Sequence, residues 1–314
     1  MINSNLAPEE KRLVADNTAV TKKFHSQHRR ETTINVLIYI LLAVLGVFWV
    51  LPIVGIFYVS IQAQAGQSGS LVPGEGFSMK WYWYLLTQHR DDGVTMQDIP
   101  FLKWFFNTLI VAVFVMIIST AFVLGVAYSM SRLRFRGRKG MMNLNLILGM
   151  FPGFLSMVVI YNLLKAVGID GTLISLILIY SAASGSGFYI AKGFFDTISK
   201  SLDEAARIDG ANNFKVFYKI VLPLSKPIVV YTMLTSFQGP WVDYIFSSVI
   251  LRDKRDNYTV ALGLYSMINS YQRLSTNYTM FFAGSVMISI PIMILFLMTQ
   301  KYYVGGVTGG SVKG

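Results

Sequence analysis

Six long apolar segments dominate the pattern of hydrophobic and polar positions along this 314-residue chain. Each reaches about 20 residues, the length that a helix needs to cross a hydrocarbon core about 30 Å thick. Since an isolated strand cannot satisfy its backbone in lipid, each segment is predicted to be a helix. The segments lie at about 34–60, 104–130, 141–166, 172–192, 226–250 and 279–303. The pattern predicts an all-α integral membrane protein with six transmembrane helices.

Composition agrees with a membrane location. Hydrophobic residues make up 54% of the chain, charged residues make up 14%, and the mean hydropathy is +0.51. A soluble domain of ordinary makeup is less apolar and more charged. The net charge of +11 does not indicate nucleic-acid binding, because the basic residues form short clusters between the apolar segments. Without cysteine, the chain can have no disulfide and no thiolate metal site.

The distribution of Lys and Arg predicts the orientation in the membrane. If both termini are cytoplasmic, 19 of the 27 basic residues fall on the cytoplasmic side. Positively charged residues concentrate on that side of bacterial membrane proteins. We expect a cytoplasmic polar tail at 1–33, a six-span transmembrane domain at 34–304 and a cytoplasmic Gly-rich tail at 305–314.

One polar segment interrupts the apolar pattern between the fourth and fifth predicted spans. Ser201 and Glu204 have the spacing of a capping box, which predicts the start of a short helix. Gly210 is expected to end that helix in a left-handed conformation, and a second helix is expected to begin near Asn212 and to stop at Pro223. Four residues are predicted to share one face of this second helix: Phe214, Phe217, Tyr218 and Val221. The segment therefore predicts a cytoplasmic helix-turn-helix.

The same segment carries a spaced motif of seven residues. It reads Glu-Ala-Ala, three residues, Gly, nine residues and then Ile-x-Leu-Pro, and the matching positions are Glu204, Ala205, Ala206, Gly210, Ile220, Leu222 and Pro223. This spacing resembles the EAA loop of permeases in binding-protein-dependent ABC importers. In this chain the loop would cover about 201–223. The resemblance implies that the loop docks on a separate ATPase subunit and passes its motion to the transmembrane helices.

Further stretches are similar to sugar-importer permeases of the MalG type. They are Asn107-Thr108-Leu109, the segment 128–139, Phe151-Pro152, the segment 222–228, Leu251-Arg252-Asp253 and the last six residues. The resemblance implies a subunit of the bacterial cytoplasmic membrane that carries an oligosaccharide, most readily maltose or maltodextrin. The implied partners are a MalF-like permease subunit, an ABC ATPase dimer and an extracytoplasmic sugar-binding protein that contacts the loop 252–278.

Nucleotide chemistry is expected on the partner ATPase. The chain contains no phosphate-binding loop of the G-x-x-x-x-G-K-[ST] type. No cofactor is therefore expected on this chain, and ATP and Mg²⁺ belong to the ATPase. The resemblance also implies that the C-terminal tail reaches the ATPase interface through Gly310, Ser311, Val312 and Lys313. By composition alone this tail reads as a flexible end.

Polar residues inside the apolar segments are candidates for the sugar path, since such residues are costly in lipid and usually face a cavity or a partner. Asp243 is the foremost candidate, because it follows Gly239-Pro240 in the fifth span, where proline can kink the helix. A structural bond to a neighbouring helix is an equally open role for it. The other candidates are Trp241, Gln238, Asn107, Tyr161, Asn162 and Tyr180, for most of which interhelical hydrogen bonding is the competing role.

Other functional classes fit the sequence less well. The three histidines, His25, His28 and His89, lie in tails or loops, and no metal-ligand spacing or catalytic triad can be assembled from them. An ion-coupled secondary transporter is the main alternative, because Asp243 lies beside a possible helix break. Galacto-oligosaccharide and raffinose-type sugars are alternative substrates, and a membrane scaffold without a transport role is a third class.

Overall fold

The computed structural model describes residues 8–64, 76–89, 99–150, 153–269 and 271–309. These residues are mostly helical, and the β-pairing among them is an isolated bridge between Gln62 and Phe77. The helices are α1 (Pro8–Ser60), α2 (Lys80–Thr87), α3 (Phe101–Arg132), α4 (Arg138–Gly149), α5 (Gly153–Val167), α6 (Leu173–Ala183), α7 (Phe188–Thr197), α8 (Lys200–Ile208), α9 (Asn213–Leu224), α10 (Lys226–Val242), α11 (Ile245–Leu251), α12 (Val260–Ser266) and α13 (Tyr271–Gly309).

The chain divides into two compact units, residues 1–58 and 59–314. The first unit consists largely of α1, whose part Glu31–Ser60 is long and apolar enough to cross a membrane. The helix begins at Pro8, well before this apolar part. Between Glu9 and Leu45 the sequence contains neither glycine nor proline, so nothing in this stretch interrupts a helix once it has begun. The predicted polar tail is therefore helical over its described residues.

In the second unit, α3 is the central helix. It is continuous over 32 residues and packs against several other helices of the unit, namely α2, α6, α7, α10 and α12. Its buried positions recur at helical spacing, from Trp104 and Thr108 through Val111 and Val115 to Ser119. These buried residues lie on one face of α3, and the neighbouring helices pack against that face.

The apolar segments form helices, but several are broken. Within the part of the chain that the structure describes, three helices are long and apolar enough to span a membrane: Glu31–Ser60, Phe101–Arg132 and Thr276–Tyr302. Two bent pairs would raise the number to five, namely α6 with α7, at 44°, and α9 with α10, at 87°. The segment predicted as a third span contains the separate helices α4 and α5, and its shorter apolar helix is Leu155–Val167. The all-α membrane fold is confirmed, and the count of six spans stays a prediction.

The fifth predicted span ends earlier than its hydrophobicity suggested. Within the predicted range 226–250, α10 stops at Val242 and α11 begins at Ile245. Pro240 lies in the last turn of α10 and cannot donate a backbone hydrogen bond. Asp243 then adopts an extended conformation, with ψ at 111°. The break places a carboxylate between two helices.

Three apolar clusters form the core of the second unit. One surrounds Trp104 and Trp241, the second surrounds Phe195 and Val216, and the third surrounds Leu176 together with neighbouring residues of α11. In the first cluster Gly263 allows a close approach of α12 to α3, because a Cβ there would lie 2.1 Å from Cε3 of Trp104. Small residues allow such contacts between helices.

Candidate functional site

The EAA segment folds as two short helices joined by a turn, as the sequence predicts. Gly210 has φ +79°, a conformation that side-chain-bearing residues rarely adopt. The Asn212 side chain accepts a hydrogen bond from the backbone nitrogen of Lys215 at 2.8 Å and so caps α9. The turn between α8 and α9 is therefore fixed by a glycine on one side and a capping asparagine on the other.

The start of α8 differs from the predicted capping box. The helix begins at Lys200, and its cap is Ser199, whose hydroxyl accepts from the backbone nitrogen of Ser201 at 3.3 Å. Ser201 is thus inside the helix, and its hydroxyl bonds to that of Ser199 at 2.7 Å. The expected cap at Ser201 was wrong by two residues because a second serine stands just upstream and takes the capping position.

The end of α9 also differs from the prediction. Pro223 does not stop the second helix, which continues to Leu224 and breaks at Ser225. Pro223 lies in the last turn of α9, directly after the π-helical turn Phe217–Val221, so its missing N–H removes a backbone donor only at the end of the helix. The chain then bends by 87° into α10, so the loop runs directly into a predicted span.

The predicted aromatic face of α9 is split between the core and the surface. Phe214 and Tyr218 are exposed and their rings stack with a centroid distance of 6.4 Å. Val216 and Val221 are buried. A π-helical turn at Phe217–Val221 explains the difference, because it adds a residue per turn and shifts the register of an α-helical face. The result is an exposed apolar surface on the loop.

The motif residues differ in exposure. Glu204, Ala205, Gly210 and Pro223 are exposed, whereas Ala206, Ile220 and Leu222 are half-buried. Beside them, Ile208 is 87% exposed and Phe214 is 73% exposed. Exposed apolar residues clustered on a loop are characteristic of a surface that binds another protein. The loop thus presents small, acidic and apolar side chains together.

The foremost path candidate, Asp243, has several partners within the chain. Its Oδ2 accepts a hydrogen bond from the hydroxyl of Tyr180 at 2.5 Å. Its carboxylate oxygens also accept from the backbone nitrogens of Phe246 and Ser247, each at 3.1 Å. Asp243 therefore caps α11 and joins it to α6.

The other path candidates differ in their surroundings. Trp241 is fully buried in the first apolar cluster, while Gln238 and Asn162 are exposed. Tyr161 packs its ring under the Arg252 guanidinium, 3.9 Å from the ring centroid. Tyr161 and Tyr180 both belong to the third apolar cluster. A role of these residues in the sugar path stays a prediction.

Asn107 binds the loop that follows α11. Its Nδ2 donates to the carbonyl oxygens of Asp256 at 2.9 Å and Tyr258 at 3.1 Å. Lys103, one turn earlier, donates to the Asp256 carboxylate, and this hydrogen bond lowers the pKa of Asp256. Through Lys103 and Asn107, α3 therefore holds the loop at Asp256 and Tyr258.

A cavity of about 280 Å³ lies between α3, α6 and α10. Hydroxyl groups line much of it, contributed by Ser119, Tyr180, Ser184, Tyr231, Thr232, Thr235 and Ser236. Ser119 is fully buried, and within the described residues its hydroxyl has no hydrogen-bond partner. Of the predicted path residues, Tyr180 is the one that reaches this cavity.

The sequence held a signal for this cavity that the prediction missed. Thr232, Thr235, Ser236 and Gly239 recur at helical spacing and form one small, polar stripe on α10. The prediction missed this stripe because it considered charged and aromatic residues one at a time.

The predicted C-terminal contact with the ATPase, Gly310 to Lys313, lies outside the described residues.

Comparison with known proteins identifies the family. A family model described as "Binding-protein-dependent transport system inner membrane component" matches residues 121–304, which include α8, α9 and the hydroxyl-lined part of α10. The chain belongs to this family. It is a transport component of the inner membrane and not an enzyme.

Relatives named as sugar permeases cover most of the chain. The galactooligosaccharide transport system permease protein GanQ of Bacillus subtilis is 37% identical over 219 residues, 69% of this chain and 76% of that protein. The maltodextrin transport system permease protein MalD of Streptococcus pneumoniae is 38% identical over 214 residues, 67% of this chain and 75% of that protein. The maltose/maltodextrin transport system permease protein MalG of Yersinia pestis is 32% identical over 274 residues, 84% of this chain and 88% of that protein.

A solved structure shares the fold. One chain of a bacterial ABC transporter involved in the import of the acidic polysaccharide alginate has a TM-score of 0.65 and 23% identity, covering 88% of this chain and 98% of that chain. At this level of identity the likeness concerns the fold alone. The two chains therefore share a fold over most of their length.

Proposed function

We propose that this chain is one of two permease subunits of an ATP-driven oligosaccharide importer, with maltodextrins as the first candidate substrate. The observation that carries the proposal is the exposed α8–α9 loop, in which Gly210 turns the chain and Glu204 and Ala205 face outward. A loop of this shape exposes small side chains, which allow the surface of a partner to come close. The family to which the chain belongs gives that partner its class, an ABC ATPase.

The proposed assembly follows from three surfaces. The α8–α9 loop binds one ATPase of a dimer, which holds ATP and Mg²⁺, and the tail at 310–313 also contacts the ATPase. The loop 252–278, which α3 supports through Asn107 and Lys103, binds a sugar-loaded extracytoplasmic protein. A MalF-like subunit completes the membrane path. This arrangement requires both termini in the cytoplasm, in agreement with the distribution of Lys and Arg.

The sugar path of this subunit is proposed to include the hydroxyl-lined cavity between α3, α6 and α10. Hydroxyl groups can donate and accept hydrogen bonds with a sugar, and the rings of Tyr180 and Tyr231 offer apolar faces to its C–H groups. Among the described residues that line the cavity there is no basic side chain to pair with the carboxylate of an acidic sugar, so neutral sugars suit it better than acidic ones. Maltodextrins and galacto-oligosaccharides both meet that condition.

Uptake by proteoliposomes tests the proposal. The complex of this chain, its partner permease and the ATPase is reconstituted with ATP inside the vesicles and the binding protein outside. Radiolabelled maltotriose is expected to accumulate only with both ATP and binding protein present. If a galacto-oligosaccharide accumulates and maltotriose does not, the substrate is a galacto-oligosaccharide and not a maltodextrin. Uptake driven by an ion gradient without ATP would overturn the importer class.

A further inference from the structure

Arg132, the last residue of α3, has a guanidinium buried among three helices. Its side chain is 1% exposed. Its Nη2 donates hydrogen bonds to the carbonyl oxygens of Phe195 and Ile198, both at 2.8 Å. These carbonyls lie at the C-terminal end of α7, where a cation is favoured by the helix dipole. Arg132 thus fixes the end of α3 to the end of α7.

The same guanidinium faces the EAA loop. Its Nε lies 3.5 Å from Oδ2 of Asp203, whose side chain is 8% exposed. Asp203 is in the first turn of α8, directly before Glu204 of the spaced motif. The EAA loop is therefore connected to α3 and α7 by one buried charge pair.

This pair is not fully bonded in the present conformation. Nε and Nη1 of Arg132 and Oδ1 of Asp203 have no hydrogen bond within the part of the chain that the structure describes. Removing charges from water is costly, and a buried pair often contributes less stability than apolar residues of the same volume. Stability alone therefore does not account for this pair. If α8 moves, Nε and Nη1 of Arg132 can form hydrogen bonds that are absent in the present conformation.

The surroundings leave α8 room to move. A cleft of about 650 Å³ lies beside the pair, between the α3–α4 loop and α8. Arg134 and Arg138 line one side of it, and Lys200 and Arg207 line the other. Arg132 and Asp203 also line it, so the pair bridges the two sides.

We propose that Arg132 and Asp203 form the joint that passes a displacement of α8 to α3 and α7. The inference rests on the proposed function, since the displacement originates in the partner ATPase, and it names the residues that transmit it. Arg132 is a positioning residue in this scheme. Because α3 packs on α6, α10 and α12, a shift of α3 at Arg132 would displace these helices. It would thereby change the hydroxyl-lined cavity, which lies between α3, α6 and α10.

A double substitution separates this role from stability. Arg132→Met with Asp203→Leu removes both charges and retains apolar volume, so neither partner is left as an unpaired buried charge. The purified complex is assayed for ATP hydrolysis with and without maltotriose-loaded binding protein. The variant is expected to assemble and to keep basal hydrolysis, while stimulation by the binding protein falls about tenfold, within the range usual for coupled sites.

Arg138→Met is the matched control. It removes an arginine from the same cleft, but Arg138 donates to the Leu133 carbonyl and not to α8. Normal stimulation is expected for this variant. Unchanged stimulation in the Arg132→Met/Asp203→Leu complex would overturn the joint.

Two further outcomes keep the test decisive. If the double variant fails to assemble, Arg132→Lys decides, because lysine keeps the charge but lacks the planar fork that reaches several acceptors at once. Reduced stimulation at normal assembly then supports the joint, and wild-type stimulation overturns it. An unmodified complex that shows no stimulation at all would reject the proposed function instead, so the two failures are distinguishable.

Discussion

The hydroxyl of Tyr180 on α6 donates a hydrogen bond to Oδ2 of Asp243, 2.5 Å away at the break between α10 and α11. The sequence made Asp243 the foremost candidate for the sugar path, with a structural bond to a neighbouring helix as an equally open role. In the structure its oxygens already accept bonds from Tyr180 and from two backbone nitrogens of α11. Asp243 is half-buried, and a polar group that is partly removed from water is usually hydrogen-bonded in this way.

Asp243→Ala is therefore expected to destabilise the complex. It removes a helix cap, which costs about 1 kcal/mol, and leaves the Tyr180 hydroxyl without its acceptor. Asp243→Asn is the matched variant and should cost less, since its amide oxygen still accepts a hydrogen bond. Thermal unfolding of the purified complex measures both. An Asp243→Ala complex that melts like the unmodified one but has lost sugar uptake would assign Asp243 to the sugar path instead.

Ser236→Leu tests the hydroxyl-lined cavity. Ser236 lines the cavity from α10, and a leucine there would fill part of its volume of about 280 Å³. Sugar uptake is expected to fall at least tenfold, while stimulation of ATP hydrolysis by the binding protein persists, because the EAA loop is not altered. Ser236→Ala is the control and should transport nearly normally. Normal uptake by Ser236→Leu would show that the sugar passes elsewhere.

Gly263→Ala tests the packing of α12 on α3. The new Cβ would lie 2.1 Å from Cε3 of Trp104, which is 1% exposed. Overpacking of this kind costs about 1–3 kcal/mol. The yield of assembled complex and its melting temperature should both decrease. Gly125→Ala in α3 is the control, since a Cβ there would meet no heavy atom within 4 Å; an equal loss in both variants would contradict the packing argument.

Asn107→Asp tests the support of the loop after α11. The substitution replaces an amide donor with a carboxylate facing the carbonyl oxygens of Asp256 and Tyr258. Loss of such buried bonds costs about 1–3 kcal/mol. Binding of the sugar-loaded extracytoplasmic protein is expected to weaken, as measured by titration of ATPase stimulation. Asn162→Ser, at an exposed position of α5, introduces no charge and should leave this binding unchanged.

Helix identity was predictable from the sequence, but helix continuity was not. The apolar segments predicted α3 and the apolar parts Glu31–Ser60 of α1 and Thr276–Tyr302 of α13 closely, because a long apolar run without a break has one stable form in lipid. Pro240 and the Ser184–Gly187 turn interrupt other runs, and hydropathy does not register such breaks. The bounds of α10 and α11 depend on which groups Asp243 caps, and that is a tertiary contact.

The EAA loop was predictable where local chemistry decides it. Gly210 and Asn212 have the conformation and the capping bond that their residue types favour. The face of α9 was not predictable, because its π-helical turn shifts the register. Nor was the Arg132–Asp203 pair, whose members are 71 positions apart in the sequence and meet only through the packing of α3, α7 and α8.

Gly210→Pro tests the turn of the EAA loop. Proline fixes φ near −65°, whereas Gly210 has φ +79° and donates its backbone nitrogen to the Arg207 carbonyl at 3.0 Å. Gly168 is a closely matched position outside this loop, with φ +78° and a bond from its nitrogen to the Lys165 carbonyl at 3.1 Å. Gly168→Pro therefore introduces a similar local strain away from the ATPase contact and serves as the control.

ATP hydrolysis by the purified complex, with and without maltotriose-loaded binding protein, tests the central claim most directly. The account predicts strong stimulation in the unmodified complex and in any Gly168→Pro complex that assembles. It predicts loss of stimulation in Gly210→Pro at unchanged membrane insertion. Full stimulation in Gly210→Pro would contradict the assignment of the α8–α9 loop as the element that couples the ATPase to the spans.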